Sequence, residues 1–163
     1  MVRVLRQREI VADVWRDADG NPAPKSALIV PLARWLAERD AWLQHVGSVG
    51  VRIQPADALT SFAQDLDRFD LVAIEFGGIG EGRGYSQARA LRQRYGYTRE
   101  LRAVGRVSQD QVVFLARCGF DAFALPEAEL EPARAALDRY SVAYQRADER
   151  IVRPTVRHGR LAT

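Results

Sequence analysis

The sequence has few of the residues that usually hold metals or form disulfides. It contains one cysteine, Cys118, and two histidines, His45 and His158, which lie far apart in the chain. A single thiol can form neither an internal disulfide nor a cysteine-only zinc site, and no acidic cluster accompanies either histidine. We therefore expect no metal site, and we expect the protein to work in a reducing compartment.

Long apolar runs are also lacking. No stretch approaches the roughly 20 apolar residues that a membrane-spanning helix needs. Residues 1–15 carry charges throughout, which is not typical of a secretory signal. Apolar residues still make up 47% of the 163 residues, enough for a packed core. These features predict a soluble, cytoplasmic protein with no membrane partner.

Positive charge is concentrated at one end of the chain. The formal net charge is +3, and residues 146–163 carry five arginines against two acidic residues, which also gives +3. The rest of the chain is therefore neutral and lacks the broad basic face of a nucleic-acid-binding protein, so we rank nucleic-acid binding well below other functions. We predict a single α/β domain over residues 1–146 and a basic, mobile tail over residues 147–163.

Short apolar segments alternate with segments of helical periodicity. Residues 2–5 and 10–15 indicate a short N-terminal strand pair. Strand candidates then begin near residues 27, 49, 71, 101 and 121, each followed by a helix candidate. This alternation is typical of a mainly parallel sheet in the α/β class. Because an eight-fold barrel takes at least roughly 200 residues, either a partial (βα)-barrel-like sheet or an open sheet is expected.

Capping residues mark several helix ends. Asp57 predicts the start of a helix. Ser108 and Gln111 form a capping-box pattern that predicts the start of another helix. Gly119 predicts the end of that helix. Cys118 lies at that end, where the helix dipole raises a thiol pKa, so we expect a buried apolar residue rather than a reactive thiolate.

A glycine-rich loop, residues 77–86 with the sequence GGIGEGRGYS, follows one strand candidate and precedes a helix. It should lie at the carboxyl edge of the sheet, where α/β proteins bind ligands. Glycines allow close approach of an anion and an arginine can bind it bidentately, which predicts ligand binding by Gly82, Arg83, Gly84, Tyr85 and Ser86. A tight structural turn or a partner surface is the alternative. The loop matches neither the Walker pattern nor the dinucleotide fingerprint, so no cofactor is predicted.

Two charged residues on neighbouring strand candidates extend this candidate site. Glu75 precedes the loop and becomes a general base if burial raises its pKa; otherwise it faces an arginine or solvent. Arg102 lies on the next strand candidate and could converge with Arg83 on one ligand. The alternative for Arg102 is a structural ion pair with Glu75, Glu81 or Asp110.

Two stretches carry a family resemblance. Residues 81–105 read EGRGYSQARALRQRYGYTRELRAVG, and residues 110–123 read DQVVFLARCGFDAF. They resemble an uncharacterised bacterial family, domain of unknown function 934, with a likeness over residues 10–145. The resemblance implies a gene commonly encoded beside the sulfite reductase haemoprotein and a link to assimilatory sulfur metabolism. It implies no catalytic residue, and this chain departs from the family pattern at Glu81 and Arg106, where acidic Asp is usual.

Two functions are therefore expected. The first, implied by the resemblance, is an accessory protein of assimilatory sulfite reduction that binds or supports sulfite reductase. The alternative is a small enzyme or sensor that binds sulfate, sulfite or a phosphate-containing ligand through the loop at residues 77–86. The exposed sheet edges of a partial barrel would also favour a homodimer.

Overall fold

A computed structural model describes residues 1–19, 25–78 and 82–148, with side chains described up to residue 140. The strands are β1 (Arg3–Arg6), β2 (Glu9–Ala12), β3 (Trp15–Asp17), β4 (Ala27–Pro31), β5 (Val49–Ile53), β6 (Leu71–Phe76), β7 (Glu100–Gly105) and β8 (Ala122–Phe123). The α-helices are α1 (Leu32–Ala37), α2 (Arg39–Leu43), α3 (Gly82–Gln93), α4 (Val112–Cys118) and α5 (Glu127–Asp148). Short 3-10 helices cover Leu59–Ser61, Ala63–Arg68 and Gln109–Gln111.

The eight strands form one sheet in the order β2-β1-β8-β7-β6-β5-β4-β3. Strands β3 to β8 pair in parallel, whereas β1 is antiparallel to both β2 and β8. The α/β class and the N-terminal strand pair are confirmed, but the prediction of a mainly parallel sheet is wrong, because the sheet is mixed. The reason is the hairpin, whose strands must run antiparallel and which joins the sheet through β1.

The hairpin turn consists of Gln7 and Arg8. Both have positive φ angles, 49° and 70°. Two consecutive residues with positive φ are typical of the type I′ turns that connect neighbouring antiparallel strands, although such turns favour Asn and Gly. The turn is also anchored to the sheet, because the Gln7 backbone N–H donates to the Asp121 carbonyl at 2.8 Å.

The sheet is curled into a half-barrel. Its two edge strands, β2 and β3, are consecutive in the chain and are joined only by Asp13 and Val14. Because neighbouring Cα atoms are about 3.8 Å apart, the end of β2 and the start of β3 lie within about 11 Å of each other. Of the two sheet forms that the sequence left open, the structure confirms the partial barrel.

The two faces of the sheet differ in what covers them. Helices pack on the outer face, in a main core that extends from Leu5 to Leu137 and includes Ile74 of β6. Side chains alternate along a strand, so Ala73 and Glu75 of β6 face the inner side. The apolar cluster on that side includes Ala73 and, among the described residues, consists of strand residues alone. The inner face therefore forms a trough inside the curl.

The predicted end signals of α4 are confirmed. Gln111 accepts the Ser108 backbone N–H at 3.0 Å in a capping box, which opens the 3-10 turn that leads into α4. Gly119 ends the helix with a φ of 111°. Cys118 is buried in the main core, as expected from its position.

The prediction that Asp57 starts an α-helix is wrong. Residues after Asp57 form the two short 3-10 helices Leu59–Ser61 and Ala63–Arg68. The Asp57 carboxylate accepts the backbone N–H of Gln54 at 2.8 Å, which lies before it in the chain. The carboxylate therefore closes a local turn and does not cap a following helix, which is a known competing use of aspartate side chains.

The C-terminal helix α5 runs to Asp148. The remainder of the predicted basic tail, residues 149–163, lies outside the described residues, so the division of the chain at residue 146 stays a prediction. Across residues 1–19, 25–78 and 82–148, none of the helices combines the length and the apolar character that a membrane crossing requires.

Candidate functional site

The carboxyl ends of β6 and β7 border a cavity of about 380 Å³, which we call the edge cavity. Its described lining residues are Gly78, Arg106, Val107, Ser108 and Gln111. The volume falls within the range of roughly 300 to 1,000 Å³ that small-molecule sites occupy. The cavity adjoins the start of the glycine-rich loop, at the sheet edge where the sequence predicted a ligand site. Residues 79–81 of that loop lie outside the described residues.

Gly105 positions Arg106 at the edge cavity. Gly105 ends β7 with a φ of 85°, and a Cβ atom there would lie 2.4 Å from the Phe76 carbonyl oxygen. The same carbonyl accepts the Arg106 backbone N–H at 2.7 Å. A turn that only glycine fits therefore fixes the Arg106 backbone against the end of β6.

Arg106 is an exposed cation beside the edge cavity. Among the described residues, its guanidinium makes no hydrogen bond and no ion pair, and it is the only charged side chain that lines the cavity. Sequence reasoning did not include Arg106 among the ligand-binding residues. Its signal was Gly105, because a glycine at a strand end marks a sharp turn toward the sheet edge.

Gln111 connects the cavity wall to Tyr85. Its Oε1 accepts the Ser108 backbone N–H at 3.0 Å, and its Nε2 donates to the Tyr85 hydroxyl at 3.2 Å. Because both ends of the amide are used, its orientation is defined by these partners. Tyr85, a predicted ligand residue, thus adjoins the edge cavity through Gln111.

The other predicted loop residues have different surroundings. Gly84 is buried in α3, and a Cβ atom there would lie 2.6 Å from the Phe76 ring, so it permits close packing of α3 on β6. The Ser86 hydroxyl donates to the Gly82 carbonyl at 3.4 Å within α3. Arg83 is exposed on the same helix. Ligand binding by these residues stays a prediction.

A second cavity, of about 220 Å³, lies on the inner face of the sheet; we call it the inner cavity. It is lined by Asp13, Trp15, Asp17, Ile29, Arg52, Ala73, Arg102, Val104 and Ala124. The Arg102 side chain is 2% exposed and donates to Asp13 and Glu100, each at 2.8 Å. Arg102 therefore forms a structural ion pair, although with different partners from those that the sequence suggested.

Glu75 stands at the rim of the inner face. Its Oε2 lies 3.8 Å from Nε of Arg52, whose Nη1 donates to Asp17 at 3.1 Å. The Glu75 side chain is 39% exposed. The structure thus pairs Glu75 with an arginine, one of its two alternatives. It also separates Arg102, on the inner face, from Arg83, whose helix packs on the outer face.

A partly exposed aromatic patch, defined by Tyr85, Arg89 and Phe114, lies on α3 and α4. The ring centroids of Tyr85 and Phe114 are 5.0 Å apart, and the Arg89 guanidinium carbon lies 6.0 Å from the Phe114 centroid. Phe114 is 46% exposed. Sequence reasoning missed Phe114, although it falls off the buried stripe that Val112 and Leu115 define on α4.

Groups with shifted pKa values lie away from both cavities. Burial raises the pKa of Asp121, although the Leu101 backbone N–H and the Arg92 guanidinium oppose this effect. A hydrogen bond from Arg39 lowers the pKa of Asp65. Among the described residues, no group of three or more histidine, cysteine, aspartate or glutamate side chains is placed to hold a metal ion.

A family model described as a bacterial protein of unknown function (DUF934) matches residues 50–153. This chain belongs to the DUF934 family. The match begins in β5 and contains the described lining of the edge cavity and the aromatic patch. It confirms the family to which the sequence was similar. No curated protein matches the chain.

Proposed function

We propose that this DUF934 protein is an accessory protein of assimilatory sulfite reduction that binds the sulfite reductase haemoprotein through the aromatic patch. The family resemblance supports the choice of partner. The observation that carries the proposal is the exposure of Phe114 within one of the two stretches on which that resemblance rests.

The composition of the patch favours protein binding. Tyrosine, phenylalanine and arginine are enriched at protein interfaces, and a few such residues usually supply most of the binding energy. The contacts of Phe114 with Tyr85 and Arg89 hold its ring in place before any partner arrives. A side chain that is already ordered loses less conformational entropy on binding.

The test measures binding of the full chain to purified sulfite reductase haemoprotein. We expect the wild-type protein to bind. Phe114→Ala should raise the dissociation constant by about tenfold or more, as for a central interface residue. Leu36→Ala is the matched control, because Leu36 is 45% exposed, against 46% for Phe114, and lies on α1 outside the patch.

Two results would contradict this proposal. If the wild-type chain does not bind the haemoprotein, the accessory function is wrong. If Phe114→Ala binds as tightly as Leu36→Ala, the aromatic patch is not the interface. Thermal melting of both variants checks that each substitution leaves the fold intact.

The second candidate function is an enzyme or sensor that binds an oxyanion such as sulfate, sulfite or phosphate. It is favoured by one observation, the guanidinium of Arg106 beside the edge cavity, which has no ion-pair partner among the described residues. Binding stabilises a folded chain by about 2.7 kcal/mol at a hundredfold excess over the dissociation constant, so a ligand should raise the melting temperature. Arg106→Gln should remove that shift, and Arg83→Gln tests the loop arginine separately. If no anion, inorganic or organic, changes the melting temperature, this function fails.

A further inference from the structure

The described wall of the edge cavity offers a single strong donor to a ligand. Gly78 and Val107 contribute no polar side-chain atoms. The Gln111 amide is engaged at both ends, and the Ser108 hydroxyl lies 3.4 Å from Gln111 Oε1. The Arg106 guanidinium is therefore the one charged donor that side chains of the described wall offer to a ligand.

One guanidinium favours a particular class of anion. A small inorganic anion gives up strong hydration when it binds, and a single arginine replaces only part of it. An organic anion can add the burial of its apolar surface, worth roughly 25 cal/mol per Å². A cavity of about 380 Å³ has room for such an apolar part.

We infer that the edge cavity binds an organic anion with a compact apolar body and one terminal carboxylate, sulfonate or phosphate group. Arg106 holds the charged group, and the neutral wall beside Val107 receives the apolar body. This inference rests on the second candidate function and names its ligand class. Tyr85 lies behind this wall, where its hydroxyl accepts a hydrogen bond from the Gln111 amide at 3.2 Å.

Gly105 gives this arrangement its rigidity. The Arg106 backbone is bonded to the Phe76 carbonyl at 2.7 Å, directly after the glycine turn. The anchor of the guanidinium is thus fixed relative to β6, while the side chain itself remains exposed. A guanidinium whose backbone is fixed at the mouth of the cavity, beside a described wall with no other charged side chain, favours the orientation in which a ligand's charged end points outward.

The test uses three probes at equal concentration with the full chain. The probes are 2-naphthalenesulfonate, which has both features; 2-naphthylmethanol, which is apolar and uncharged; and sulfate, which is charged and has no apolar part. Melting temperature and titration calorimetry report binding. We expect 2-naphthalenesulfonate to bind at least about tenfold more tightly than either other probe.

Variants assign the binding to Arg106. Arg106→Gln should weaken the binding of 2-naphthalenesulfonate by about tenfold or more, which corresponds to the loss of one charged hydrogen-bonding group. Arg16→Gln is the matched control, because Arg16 is exposed on β3 and, among the described residues, also has no ion-pair partner. It should bind the probe as the wild type does.

Four results would overturn the inference. If sulfate binds as tightly as 2-naphthalenesulfonate, the anion function is supported but the inference of an organic ligand is wrong. Equal binding of 2-naphthylmethanol shows that the charge is not recognised, and unchanged binding by Arg106→Gln shows that the probe sits elsewhere. If none of the three probes binds, the inference fails, and the anion function fails as well when sulfite and phosphate also leave the melting temperature unchanged.

Discussion

At the scale of single residues, Gly105 determines the position of Arg106 at the edge cavity. Its φ of 85° turns the chain after β7, and Phe76 leaves no room for a side chain there. The sequence marks this position only as a glycine that ends an apolar segment. The sequence could not reveal that Phe76 contacts Gly105, because Phe76 lies 29 positions earlier and is brought to Gly105 only by strand pairing.

Replacing Gly105 should destabilise the protein. Gly105→Ala places a Cβ atom 2.4 Å from a backbone oxygen at a positive φ, so we expect the free energy of unfolding to fall by more than about 1 kcal/mol. Gly82→Ala is the control, because no atom of the described residues lies within 4 Å of its Cβ position and it begins α3. Urea unfolding measures both. Equal stability of the two variants would contradict the steric argument.

At the scale of elements, Asp65 ties the short helices of the outer face together. It is 1% exposed, accepts the Trp35 indole N–H at 2.9 Å and pairs with the Arg39 guanidinium. Trp35 lies in α1 and Arg39 in α2, while Asp65 belongs to the 3-10 helix Ala63–Arg68. None of these elements is long enough to be stable alone, so their side-chain contacts maintain them.

Asp65 should make part of the stability dependent on pH. The Arg39 hydrogen bond lowers its pKa in the folded state below the ordinary 3.8, so its ionised form stabilises the fold above that pH and the contribution is lost as pH falls through the folded pKa. We expect Asp65→Asn to lower the free energy of unfolding by about 1 to 3 kcal/mol at pH 7. The difference from wild type should shrink below pH 4.

Unfolding curves from pH 7 to pH 3 measure this effect. Asp138→Asn is the control, because Asp138 is 48% exposed in an ion pair on α5 and should change stability little at any pH. A constant difference between Asp65→Asn and wild type across the range would show that packing, rather than charge, accounts for the loss.

At the scale of the whole molecule, Arg102 joins distant parts of the half-barrel. It belongs to β7, yet it pairs with Asp13 in the connection between the two edge strands. Its other partner, Glu100, also lies 3.6 Å from Arg6 of β1. This network links β1, β7 and the connection between the two edge strands. The homodimer expected from exposed edges stays a prediction.

Removing Arg102 should therefore cost more than removing any exposed arginine on the same face. Arg102→Ala leaves Asp13 as a poorly solvated charge without its ion-pair partner and leaves Glu100 only the longer contact with Arg6, so we expect a loss of about 3 kcal/mol in unfolding free energy. Arg52→Ala, whose side chain is 30% exposed, should lose less than about 1 kcal/mol. Thermal and denaturant unfolding compare the two, and similar losses would contradict the burial argument.

The sequence alone determined the elements with strong local signals. Apolar runs predicted β4 to β8, and Ser108, Gln111 and Gly119 predicted the ends of α4, because strand propensity and capping act between neighbours in the chain. Asp57 shows the limit of such reasoning, since its carboxylate had two local partners to choose from and bonded to Gln54.

Only the tertiary structure decided which residues share a site. It placed Glu75 and Arg102 on the inner face and Arg106 beside the edge cavity, although all three belong to neighbouring parallel strands or their ends. The reason is geometric. The alternation of side chains along a strand and the curl of the sheet assign each side chain to one face. Strand register determines which residue it contacts. Curl and register both depend on residues far apart in the sequence.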